Sequence, residues 1–347
     1  MPAKPSPLVG ILMALGAFAL FSVHDVVIKF LGSGDGYAVF QIVFFSVLLT
    51  FPLSTVILLQ SNVAGTLRPA HPWWSLLRTA CTVVAALLVF TAFTTLPLAQ
   101  VYAMIFTMPL IITVLSIPIL GEKVGPHRWG AVIVGLAGVL IVLRPGGADL
   151  GWGHAAALGG AVFSALASVI VRRIGRDERT MVLLLWPLVA NFVVMGAALP
   201  FVYRPVPLPD LGLWALMALC ALLASLLMIG AYKRADAVLV APMQYSQIIW
   251  AALYGWILFD EGIDLWTGVG AGVIVASGLY IVAREAGGRS ATAPVLRSRT
   301  RAGTPGAPRI GALLTTGERD AGLPGGAMRR ALDERAAHAR HDGRGAT

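Results

Sequence analysis

The chain has 347 residues, 57% hydrophobic and 12% charged, with a formal net charge of +9. Soluble globular chains carry about 25% charged and about 45–50% apolar residues. The composition therefore excludes an ordinary cytosolic enzyme, a disordered chain and a nucleic-acid-binding domain, despite the basic balance. Cys81 and Cys220 both lie in apolar runs and exclude a disulfide framework or a cysteine-ligated zinc site. The charge is unevenly placed: residues 1–285 carry 15 basic against 12 acidic residues, and residues 286–347 carry 11 arginines against 5 acids. The first stretch reads as a membrane protein and the second as a basic tail.

In chain order, apolar runs fall near 8–30, 38–59, 73–95, 98–119, 127–143, 152–172, 180–200, 211–231, 238–258 and 264–283. Each is close to the length of about 20 residues that spans a bilayer core, where only a helix satisfies its own backbone. The predicted fold is an all-α membrane protein of ten transmembrane helices. The links, among them GSGDGY, TTLP, GEKVGP and FDEGID, are too short for a soluble catalytic domain. The first run is too long for a signal-peptide core and lacks a small-residue cleavage site. With a cytoplasmic N-terminus, Lys4, Arg68, Lys123, Arg128, Arg172, Arg173, Arg176, Arg179, Lys233, Arg234 and Arg284 fall inside, while Arg144 and Arg204 fall outside with Lys29 near the outer boundary. This bias predicts both termini in the cytoplasm. Trp73, Trp74, Trp129, Trp152, Trp214 and Trp266 fall at run ends, the interfacial position that an indole ring favours.

The chain resembles itself at an offset of 139 to 140 residues. Ala92 matches Ala231, Glu122 matches Glu261, Gly138 matches Gly278, and Arg144 matches Arg284. The unit is five helices, so the second copy enters the membrane from the opposite side. Inverted repeats of this kind characterise secondary transporters, with a substrate site near the midplane between the halves.

Two five-helix units, each with a Glu-bearing loop (GEKVGPHRWG, then FDEGIDLWTG) and a last helix ending GVLIVLR or GLYIVAR, resemble the EamA family of the drug/metabolite transporter superfamily. The resemblance implies two EamA-like repeats, 8–144 and 152–284, alternating access, and a path lined mainly by the third, fourth, eighth and ninth helices. The stretch ADAVLVAPMQYSQIIWAALYGWILFDE is similar to members that carry riboflavin or S-adenosylmethionine. At Asp260 the second copy departs from the Gly-Glu pattern of the first.

Charged groups inside a membrane are costly, at about 2.5–3.5 kcal/mol each on insertion scales, and mark candidate sites. In the first helix Asp25 and Lys29 are spaced i,i+4 and can pair, either as a coupling site for a proton or substrate cation or as a structural ion pair near the interface. His24 points away from them and is read as making an interhelical hydrogen bond. In the ninth helix Gln244, Gln247, Trp250 and Tyr254 fall within about 120° on a wheel. Amides and aromatic rings on one face suit a planar, partly polar substrate. Pro242 marks a hinge or a freed carbonyl. Tyr102 sits on the corresponding face of the fourth helix, and Arg78, a turn inside the third, either meets an anionic group or reaches the headgroups. Glu122 and Glu261 are read as loop caps on opposite sides of the membrane. Small-residue ladders (Ala131 and Gly135; Gly268, Gly272 and Ala276) serve helix packing or a homodimer.

The sequence contains no phosphate loop, HExxH, GxSxG or metal-spaced cluster. The expectation is a non-enzyme without metal or cofactor, driven by an ion gradient or exchange. Its substrate is a small molecule moved across a bacterial inner membrane, with export of drugs or amino-acid metabolites, or lipid flipping, as alternatives. Residues 286–347 are too poor in aromatic and β-branched residues to bury a core and are predicted disordered. Their arginines suit anionic membrane lipids rather than nucleic acid.

Overall fold

The computed structural model describes residues 7–60, 68–144, 150–175, 177–178, 180–235 and 237–287. The basic tail predicted from residue 286 lies almost wholly outside the described residues. Among them the chain is helical throughout, with no strand. The helices are α1 (Pro7–Lys29), α2 (Val39–Gln60), α3 (Pro72–Thr95), α4 (Leu98–Ile105), α5 (Met108–Leu120), α6 (Pro126–Leu143), α7 (Trp152–Ile174), α8 (Thr180–Val202), α9 (Leu208–Arg234), α10 (Ala237–Val240), α11 (Ser246–Phe259) and α12 (Leu265–Gly287).

Among the described residues, eight helical stretches are long and apolar enough to cross a membrane: Leu8–Gly34, Pro72–Thr95, Leu98–Leu120, Pro126–Leu143, Trp152–Ile174, Val182–Val202, Asp210–Arg234 and Leu265–Ala283. Val39–Phe51 is a shorter apolar helix. The chain is thus a multi-pass membrane protein. Pro72 and Pro126 start α3 and α6 at the first helical position, where a missing N–H costs nothing.

Two runs read as continuous helices are interrupted. Pro109 has no N–H to give the Ile105 carbonyl, and its ring crowds that carbonyl. The chain tightens at this point: Thr107 N donates to Met104 O at 3.1 Å, and α5 restarts at Met108. Pro242 acts similarly between α10 and α11, where Ala241–Tyr245 form a 3₁₀ turn.

The two halves of the chain pack through each other. α1 lies along α9 and α11, and α3 lies along α7. α2 meets α8, α6 meets α12, α5 meets α7, and α4 meets α11. Each long contact made by a helix of the first half has a counterpart with the halves exchanged. At one end of the bundle a Cβ added to Gly10 would overlap Ala235, so the start of α1 lies beside the end of α9. At the other end the Lys29 ammonium reaches the Leu96 carbonyl.

The α6–α12 contact is close because Gly138 and Gly270 face each other, and a Cβ on either would crowd the other's carbonyl. Gly135 and Ala131 also join this contact, where Ser277 Oγ donates to Ala131 O at 2.5 Å. The ladder of Gly268, Gly272 and Ala276 does not, because it lies on the exposed face of α12. Which face of α12 meets α6 is set by tertiary packing, which a wheel does not contain. Trp73, Trp129, Trp152 and Trp266 are exposed as expected of interfacial rings. Trp214 is instead buried, edge-on to Tyr37 and Phe45.

α5 and α11 end alike. Gly121 adopts φ +70°, and Glu122 N donates back to Ser116 O at 3.3 Å. Asp260 adopts φ +53°, and Glu261 N donates to Gly255 O at 3.0 Å. These left-handed caps turn the chain so that the following glutamate points back toward the bundle. The Asp that departs from the Gly-Glu pattern keeps the same backbone, a conformation that Asp tolerates better than most residues.

Candidate functional site

Four polar side chains from three helices join inside the protein. Asp25 on α1, at 0% exposure, holds His24 Nδ1 at 2.8 Å on Oδ1. Its other oxygen, Oδ2, accepts the hydroxyl of Tyr102 from α4. Gln247 on α11 in turn donates its amide to the Tyr102 oxygen at 3.2 Å. His24, Tyr102 and Gln247 are all buried. In a low-dielectric interior such a chain polarises along its length and is costly to leave unpaired. It also bridges the halves, since α1 and α4 belong to the first and α11 to the second.

Asp25 and Lys29 do not pair, contrary to the expectation from their spacing. The Lys29 ammonium pairs with Glu261 Oε1, donates to Leu96 O at 2.6 Å and lies 5.2 Å from the Phe259 ring. Spacing of i,i+4 permits a pair, but a carboxylate arriving from the second half at the helix end outcompetes it. His24 likewise bonds its own chain neighbour rather than another helix. The Glu261 carboxylate also accepts Leu98 N at 3.1 Å, capping the start of α4 as a loop-capping reading requires. At the opposite end Glu122 pairs with Arg172 of α7 at 2.5 Å. Both ties cross between the halves.

The remaining predicted residues are spread along α3, the 3₁₀ turn and α11. Trp250 and Tyr254 stack with ring centroids 6.2 Å apart and planes at 22°. Gln244 is half-buried, but it lies in the 3₁₀ turn, so an α-helical wheel misassigns its phase relative to Gln247. Arg78 is buried on α3, eighteen residues before Leu96 and so about 27 Å of helix away from the Lys29 end.

Tyr245 falls outside the face that Gln244, Gln247, Trp250 and Tyr254 share on a wheel, although it sits between Gln244 and Gln247. It is buried edge-on to Phe106 at 5.1 Å, in space that only a glycine at 278 leaves open. Its hydroxyl and the Trp250 indole N–H are buried without a hydrogen-bond partner among the described residues. Orphaned groups of this kind are normally met by water or a ligand.

Near the Lys29 end, Tyr37 donates to Asp210 at 2.5 Å, and Arg204 Nη1 donates to the carbonyls of Asp35 and Gly36 at 3.0 and 3.1 Å. Burial, followed by this bond to Asp210, pushes the Tyr37 hydroxyl up to about 12. Burial and the neighbouring Asp210 charge raise Asp35 above the usual carboxylate range.

The sequence model of the EamA-like transporter family matches the chain twice, over residues 8–144 and 151–283. A riboflavin transporter of Rhizobium johnstonii is 26% identical, over 82% of this chain and 95% of that protein. An S-adenosylmethionine uptake transporter of Rickettsia bellii is 26% identical, over 76% of this chain and 90% of that protein. A pseudopaline exporter of Pseudomonas aeruginosa is 26% identical, over 77% of this chain and 94% of that protein.

Proposed function

The chain belongs to the EamA-like transporter family, and from that premise we propose that it is a secondary active transporter moving a small metabolite across a bacterial inner membrane by alternating access. The observation that carries this reading is the buried hydrogen-bond chain from Gln247 through Tyr102 to Asp25, which ties a polar face of one half to an ionisable group of the other. The reciprocal packing of α1–α9 with α3–α7 supports an inverted pair of five-helix repeats, 8–144 and 152–284, rocking against each other. Lys29–Glu261 and Arg172–Glu122 are the closures at the two ends, one outside and one cytoplasmic. Both chain termini then face the cytoplasm.

Gln244, Gln247, Trp250, Tyr254 and Tyr102 line the substrate face. The stacked Trp250–Tyr254 pair and the orphaned Trp250 N–H suit a planar ring system carrying an acceptor, which favours riboflavin-like or S-adenosylmethionine-like compounds. Arg78 attends the opposite vestibule. Asp25 is the coupling residue, and Lys29 belongs to the closure instead. An export direction is the second reading, favoured by the pseudopaline exporter among the relatives.

The test is uptake and efflux of riboflavin and S-adenosylmethionine in proteoliposomes, with and without a proton gradient. Gln247→Ala and Trp250→Ala are expected to impair transport while the protein still expresses and inserts. Unimpaired transport in both variants removes α11 as the substrate face. The absence of any solute movement in a wider metabolite panel removes the transporter reading.

A further inference from the structure

We propose that His24 and Asp25 act as one proton-carrying pair, and that Tyr102 relays the state of Gln247 to it. The proposal deepens the transporter reading and rests on it for its biological meaning. The argument begins from charge. Asp25 is fully buried, and a lone carboxylate in such a place costs several kcal/mol. Lys29, the cation spaced to neutralise it, is committed to Glu261 and Leu96.

The helices packed against α1 supply no replacement. On α9, Asp210 receives the Tyr37 hydroxyl at the Lys29 end, while Lys233 and Arg234 lie near the start of α1, the Arg234 guanidinium against Met13 and so about 18 Å of helix from Asp25. On α3, Arg78 is about 27 Å of helix before Leu96, which meets Lys29, and so about 21 Å from the level of Asp25. α10, the 3₁₀ turn and α11 carry no charged side chain. The other titratable groups on these elements, Cys81, Cys220, Tyr232, Tyr245 and Tyr254, do not supply a cation.

The imidazole at 2.8 Å is therefore the group that can balance Asp25. One proton added to the pair makes it neutral overall, whichever of the two carries it. Its loss leaves a net negative charge in the interior. The two groups then hold that proton jointly, and it exchanges with water or against an arriving cation.

Tyr102 completes the link. Its single hydroxyl proton is spent on Asp25 Oδ2, and its oxygen accepts the Gln247 amide. A substrate that captures the Gln247 amide withdraws that donor. The change reaches the carboxylate one hydrogen bond later, and a negative Asp25 strengthens the Tyr102 bond relative to a neutral one.

The experiment uses the full chain in lipid nanodiscs with ¹⁵N-labelled histidine, the His24 signals being assigned by their loss in His24→Gln. Infrared difference spectra follow the Asp25 carboxyl band, assigned by its loss in Asp25→Asn. In the wild type the His24 nitrogens and the Asp25 carboxyl should follow one shared pH curve. Asp25→Asn should displace the His24 curve, and Tyr102→Phe should shift both signals together. Should Asp25→Asn fail to fold, Asp25→Glu replaces it and must keep the shared curve at a shifted midpoint. Separate curves, or a His24 signal indifferent to residue 25, overturn the proposal. Riboflavin accumulation under an imposed pH gradient is measured in parallel. Transport without a shared curve sinks the pair and leaves the transporter, whereas a shared curve without movement of any solute does the reverse.

Discussion

The two ends of the bundle are tied by the same kind of contact but are not equally well made. At the Lys29 end both oxygens of Glu261 are occupied, one by the ammonium and one by Leu98 N, and the ammonium has the Leu96 carbonyl as a second acceptor. At the Arg172 end Glu122 Oε2 and Arg172 Nη1 are buried without a partner, although neighbouring Arg173 is anchored on the Ile119 carbonyl and over the Trp74 ring. A fully satisfied polar cluster is costly to open, while a half-satisfied one has already lost part of its hydration without replacement. The Arg172 end is therefore the easier to wet, and the Lys29 end is the more firmly tied.

That contrast can be broken by mutation, starting with the largest effect. Glu261→Ala strands the Lys29 charge and uncaps α4. It should cost about 3 kcal/mol, at the low end for a buried pair because a fifth of the Glu261 side chain is exposed, and thermal unfolding in detergent measures it. Glu122→Ala should cost less, about 1–2 kcal/mol, since a weakly hydrated guanidinium near a helix end can turn toward the headgroups. An equal or larger loss for Glu122→Ala would reverse the ranking of the two ends.

The backbone turns that aim these glutamates allow a finer comparison. Gly121→Ala forces a β-carbon into φ +70° and should destabilise by about 1 kcal/mol, whereas Asp260→Gly relieves φ +53° and should stabilise by up to about 1 kcal/mol. Paired melting curves of the two variants decide whether the caps are equivalent. The smallest effect concerns Asp35. Folding raises its protonation midpoint, so the ionised form is disfavoured in the native state and the cost is present at neutral pH. It falls away as pH drops and the carboxyl takes up its proton. Asp35→Asn should therefore raise the unfolding temperature slightly at pH 7 and leave it unchanged well below the usual carboxylate range.

Much of this architecture is legible from residue order alone. Pro72 and Pro126 mark helix starts, apolar runs mark the helices, and the recurrence of Glu122 at Glu261 marks the repeat. Gln247 and Tyr102 could be named because polar groups are rare in such runs. Partnership is what stays hidden. Lys29 has a carboxylate one turn away yet binds one 232 residues later, and Gly270 rather than Gly272 meets α6. Both outcomes depend on how the halves dock, which local periodicity does not encode. Pro109 removes a donor after Ile105, but whether a membrane helix bends or restarts at a proline depends on what its neighbours offer the freed carbonyl.

The reciprocal packing of the halves also sets a timetable for biogenesis. α1 leaves the ribosome first, but α9, its longest neighbour, begins at Leu208 and Glu261 comes later still. At about 5–20 residues per second, Lys29 waits roughly 10–50 s for its carboxylate. Until then the carboxylate within one helical turn of Lys29 is Asp25, so the pairing that the finished fold gives up is the one open to the nascent chain.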